Sequence, residues 1–128
     1  MTKLVAQYDD LRKAFGRLKE ALSLPSKSTI NQDASIQRFE FTFELAWKIM
    51  KTILEDEGMN AVSPRNVIRQ AATINLIDEP QKWLEFLESR NLTVHTYKEE
   101  VAKKVYQSAK EFVPYVDKLF IELKNYLT

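Results

Sequence analysis

The sequence predicts an all-α protein, an up-and-down bundle of three long and two short helices with a four-helix core. Three observations predict it. Apolar residues recur at three- and four-residue steps through most segments, only two glycines and four prolines punctuate 128 residues, and no segment sustains the alternation of a strand. Neither internal repeats nor low-complexity tracts occur, and the length suits one domain over residues 1–128.

In the first segment Leu4, Tyr8, Leu11, Phe15, Leu18 and Leu22 fall on one face of a helix. "LPSKST" ends it, because Pro25 disfavours helical backbone in the residue before it. The second segment carries Ile36, Phe39, Phe43, Trp47, Met50 and Leu54 in the same rhythm, with Phe41 and Leu45 widening the apolar face. That width suits a central helix touching several neighbours, and Gly58 reads as its left-handed stop. Ser63 and Pro64 open a short helix as N-cap and first helical residue, with Val67, Ile68, Ala71 and Ile74 turned inward. A second short helix follows, with Asp78 as cap and Trp83, Leu84 and Leu87 inside. Thr96 and Glu99 have the spacing of a capping box for the last helix, whose seam runs through Val101, Val105, Phe112, Val116, Leu119, Leu123 and Leu127. Pro114 is expected to kink or interrupt that helix.

Composition removes several function classes. Nineteen basic side chains against eighteen acidic ones leave a charge of +1, so any nucleic-acid contact must come from a local patch. With no cysteine and one histidine, the ligand sets of ordinary zinc sites are missing, as are a disulfide framework and a cysteine nucleophile. Glu40 and Glu44 lack the accompanying Glu-x-x-His of a di-iron bundle. Gly16 and Gly58 are solitary, so no phosphate-cradling loop exists, and His95 has no nucleophile-elbow sequence beside it. No signal-length or membrane-spanning apolar run occurs. The expectation is a soluble cytoplasmic protein without metal or cofactor.

What remains is "SRNLTVHTYKEE", where Arg90, Asn91, His95 and Tyr97 lie at a helix-to-helix junction. Such a loop lets side chains converge, and the next helix offers free amides and a positive dipole end to a phosphate. Arginine grips a phosphate through two parallel hydrogen bonds, and histidine exchanges a proton near neutral pH. The pair suffices in principle for metal-independent RNA cleavage: a base activates the ribose 2′-hydroxyl while a guanidinium offsets charge on the phosphorane-like transition state. The same spacing also fits a plain junction in which His95 bonds a carbonyl, Arg90 neutralises a helix C-terminus and Tyr97 packs with a wet hydroxyl. Glu40, Glu44, Trp47 and Lys48 are about a turn apart and fit the same cleft, with Glu44 a candidate to orient Arg90 or His95 and Trp47 read chiefly as core. Arg65 and Arg69 share a helix face, suited to phosphate or partner contact or to plain solvation.

"RNLTVHTY", preceded by "WLEFLESR" and followed by a long helix, resembles the Arg-x4-His-x-Tyr motif of HEPN-domain proteins. "QRFEFTFELAWKIMKTIL" and "SPRNVIRQA" resemble the second helix and following short helix of the HepT-like group, also called nucleotidyltransferase substrate-binding proteins. The likeness runs in order over roughly residues 30 to 120 and is weaker in the N-terminal helix. It implies a HEPN-like homodimer with two motifs facing a shared cleft, and a toxin-type endoribonuclease with Arg90 and His95 catalytic. The implied partner is an antitoxin nucleotidyltransferase of the MntA type, which adds AMP to Tyr97. Phosphates added there would compete for Arg90. The alternative is a non-catalytic subunit that binds nucleotide or substrate for such an enzyme. A third reading is a structural helical oligomer without a site.

Overall fold

The computed structural model describes residues 2–127. The helices are α1 (Lys3–Leu22), α2 (Thr29–Asp56), α3 (Pro64–Thr73), α4 (Pro80–Asn91) and α5 (Glu99–Leu123), with 3-10 turns at Leu92–His95 and Lys124–Tyr126 and no strand among the described residues. Three helices of 20, 28 and 25 residues and two of 10 and 12 match the bundle expected from periodicity. No helix is long and apolar enough to cross a membrane among those described.

The stops and starts follow local chemistry. Ser28 and Ser63 accept hydrogen bonds from Asn31 N and Asn66 N, each satisfying an orphan amide of its helix. Gly58 sits at φ 80° past α2, with Gly58 N bonded to Glu55 O and Met59 N to Leu54 O at 2.8 Å. This double closure satisfies the last carbonyls and lays Met59 back on the core. Asn75, at φ 61°, repeats the device after α3, through Asn75 N to Ala72 O and Leu76 N to Ala71 O. Asparagine tolerates this region better than most non-glycine residues.

Two expectations at element ends are corrected, and a third, inside α5, is narrowed. Glu79, not Asp78, precedes Pro80 as the α4 cap, without a side-chain bond. The Thr96–Glu99 box does not form: Lys98 is the α5 N-cap, and Thr96 Oγ1 donates instead to Thr93 O, 3.1 Å away, closing the 3-10 turn. Serine and threonine hydroxyls compete for nearby carbonyls, and here the preceding turn wins. Pro114 does not interrupt α5, which is continuous from Glu99 to Leu123. Its ring is on the exposed side, where the missing N–H and the ring's bulk meet solvent.

α2 is the hub, packed against α1, α3, α4 and α5. At its centre Phe112 of α5 meets Phe39, Phe43, Trp83 and Phe86 at ring-centroid distances of 5.3, 5.9, 5.4 and 5.1 Å. Most of these pairs are edge-on, the arrangement that ring quadrupoles favour. The cluster welds α2, α4 and α5, so the C-terminal end of α4 has a fixed place beside α2. Buried Ser89 reinforces it, its hydroxyl 2.6 Å from that of Ser108 on α5. Arg90 is the next residue.

Candidate functional site

Arg90 and Asn91 end α4, His95 ends the 3-10 turn, Tyr97 lies in the link to α5, and Glu44 faces them from mid-α2. Arg90 Nη2 forms an ion pair with Glu44 Oε1, and Nη1 donates to Asn91 Oδ1 at 3.1 Å. Glu44 also accepts from Trp47 Nε1 at 3.3 Å and lies 3.8 Å from Lys48 Nζ. Trp47 is half-buried and packs against the core as its spacing predicts, with its indole N–H turned to Glu44.

Arg90 and His95 do not touch. The guanidinium is held toward α2, whereas His95 is exposed, its Nδ1 3.4 Å from Tyr97 Oη and the two rings edge-on at 6.0 Å. Arg90 is near the end of α4 and His95 ends the 3-10 turn that follows, and their partners differ: Glu44 and Asn91 for the first, Tyr97 for the second.

The ion-paired arginine lines an open groove of about 510 Å³ with Glu40, Phe41, Glu44, Asn91, Thr93 and Val94. Glu40 and Thr93 also line a second groove with Asp33 and Thr96, and Asp33, Thr96, Tyr97 and Lys103 line a third. Tyr97 and Val94 are 77% and 71% exposed, so both stand free beside these grooves. The α5 N-terminus is a poorer phosphate site than the sequence suggested, because Glu99 and Glu100 occupy its first turn and compensate the dipole. Arg90 is the cation placed to meet a phosphate at this end of the groove.

Arg65 and Arg69 are exposed on α3 and line a separate groove with Pro80, Gln81, Leu84, Glu85 and Glu88. They do not join Arg90. Among the described residues no three His, Asp or Glu side chains cluster closely enough to hold a metal.

One residue was underrated by sequence reasoning. Thr93 Oγ1 hydrogen-bonds to Glu40 Oε2 and is 2.7 Å from Arg90 O. The 53-residue separation leaves no periodic signal of that contact; only the one-turn spacing of Glu40 from Glu44 hinted at it.

The family described as nucleotidyltransferase substrate binding protein like matches residues 6–125, taking in α1, where the motif blocks are weak. A probable ribonuclease HepT of Haemophilus influenzae is 36% identical over 84 residues, covering 62% of this chain and 58% of that protein's length. A solved protein from Thermus thermophilus superposes with a TM-score of 0.82 at 36% identity, over 88% of this chain and 98% of the other. A solved Haemophilus influenzae protein, reported to reveal the fold of a substrate binding domain of a nucleotidyltransferase, gives 0.82 at 28% identity over 91% and 98%. The chain therefore belongs to the nucleotidyltransferase substrate binding protein like family.

Proposed function

We propose that this protein is a HEPN-type endoribonuclease that cleaves RNA without a metal ion and acts as the toxin of a pair whose other member is a nucleotidyltransferase. The observation that carries the reading is the Arg90–Glu44 pair in an open groove, with exposed His95 and Tyr97 on the adjoining turn. The likeness to a probable ribonuclease HepT supports it. In the reaction His95 takes the proton of a ribose 2′-hydroxyl, whose oxygen attacks the adjacent phosphorus. Arg90 exchanges Glu44 for the phosphate oxygens and balances the charge that builds there. The P–O5′ bond breaks, the proton taken by His95 passes to the leaving oxygen through water, and a 2′,3′-cyclic phosphate and a free 5′-hydroxyl remain. With Val94 and Tyr97 both exposed beside the groove, the working cleft combines two copies of the motif across a homodimer. AMP placed on Tyr97 Oη by the partner would occupy the groove beside His95 and silence it.

One observation favours a second reading, a subunit that binds substrate for a nucleotidyltransferase. Arg90 is already paired with Glu44, and the Haemophilus influenzae neighbour carries that description. RNA cleavage in chelator separates the two, once intact mass shows Tyr97 unmodified. The ribonuclease reading expects cutting by the wild type and a loss of at least about 100-fold in Arg90→Ala and His95→Ala. Equal inertness of all three folded proteins favours the binding subunit.

A further inference from the structure

Four residues separate Arg90 from His95, and the 3-10 turn that carries the second packs beside α4, α5 and α2 with few side chains to hold it there. Val94, His95, Tyr97 and Lys98 are exposed, while Leu92 alone in the 3-10 turn packs on the core. Internal bonds shape the turn: Thr96 Oγ1 to Thr93 O, and Lys98 N to His95 O at 3.1 Å. Those bonds fix its form but not its place against α2.

Among the described residues, the side-chain hydrogen bond that ties segment 92–98 to α2 is that from Thr93 Oγ1 to Glu40 Oε2. Thr93 has one hydroxyl proton, and two acceptors compete for it. Both oxygens lie within hydrogen-bond reach of Thr93 Oγ1, and the one on Glu40 is the acceptor that links the turn to α2. Both partners are half-buried, so water competes less than it would at an open surface. Glu40 lies one turn before Glu44 on the same helix. One α2 face therefore holds both halves of the motif, Arg90 through Glu44 and the His95 turn through Glu40.

We infer that Glu40 is a positioning residue, which sets the place of His95 by gripping Thr93 and touches no reacting atom. This inference rests on the proposed ribonuclease reading for its catalytic consequence, although the clasp itself is testable without it. A positioning role demands a hydrogen-bond acceptor at position 40 and not a charge, because the donor is a neutral hydroxyl. Glutamine fulfils it, and alanine does not.

The test uses the full chain with Glu40→Gln, Glu40→Ala, Thr93→Ser and Thr93→Val, read by amide hydrogen exchange and by initial rates of RNA cleavage. Glu40→Ala and Thr93→Val should speed exchange selectively over residues 92–98 and lower kcat about tenfold without raising KM. Glu40→Gln and Thr93→Ser should keep wild-type exchange and rate, and the double variant of Glu40→Ala with Thr93→Val should be no worse than either single loss. Unchanged exchange over 92–98 in Glu40→Ala overturns the inference, as does exchange raised equally across the whole chain. Should the wild type leave RNA intact, the ribonuclease reading falls, while the exchange pattern still decides the clasp.

Discussion

At the residue scale the site is a set of short-range pairings around two carboxylates. Glu44 gathers Arg90, Trp47 and Lys48 and is itself less than a quarter exposed, so its charge is well compensated where solvent is scarce. Glu44→Ala leaves Arg90 without its anchor. Stability should fall by about 1 kcal/mol, since the pair is neither fully exposed nor deeply buried. RNA cleavage should fall about tenfold as the guanidinium wanders. Chemical denaturation beside initial rates measures both. His95→Ala should leave stability within about 0.5 kcal/mol, because an exposed ring holds nothing up, so its loss of activity is chemical. Arg90, His95 and Tyr97 were legible in the sequence because motif residues are close in the chain. Glu44 was legible as a candidate through helical spacing. The Glu40–Thr93 and Ser89–Ser108 bonds were not, since only the fold brings those residues together.

At the element scale the ends of helices decide where the site residues stand. Gly58 adopts φ 80° in open space, so an added Cβ meets no neighbour and the cost is purely backbone strain. Gly58→Ala should lower stability by about 1 kcal/mol, read from a urea midpoint at unchanged slope. Helix interiors, Gly58 and Ser63 were readable from periodicity and cap chemistry. The link before α5 misled, because Thr96 has both a capping partner at Glu99 and a carbonyl at Thr93, and spacing does not rank them. Asn75 gave no warning either, as asparagine in a left-handed stop looks like any polar loop residue. The tie between α4 and α5 has a pH signature. The Glu111 carboxylate beside Lys82 raises the ammonium above its ordinary 10.5, against the opposing effect of partial burial. A raised value in the folded state means that this contribution is complete below 10.5 and fades as pH climbs through the higher folded value. The thermal midpoint advantage of the wild type over Lys82→Gln should therefore be present at neutral pH and vanish in strong alkali.

At the scale of the whole molecule, one aromatic cluster carries the rigidity that the site borrows. Phe112 is fully buried and meets rings from both α2 and α4, so truncation opens a cavity where three helices join. Phe112→Ala should cost about 3–5 kcal/mol, with the loss of midpoint visible in a single denaturation transition. Its activity defect should track the unfolded fraction, unlike that of His95→Ala. The bundle was readable from the apolar rhythm alone. The partners that orient Arg90 and His95, Glu44 for one and Tyr97 for the other, were not, because loop spacing sets an upper limit on distance and no direction.

The most direct measurement is the chemical identity of the new RNA ends, determined by mass spectrometry after digestion in excess chelator. Attack by a 2′-hydroxyl activated at His95 predicts a 2′,3′-cyclic phosphate on one fragment and a free 5′-hydroxyl on the other. Fragments ending in a 5′-phosphate and a free 3′-hydroxyl would contradict the account, because a water molecule, not the ribose, would then have been the nucleophile.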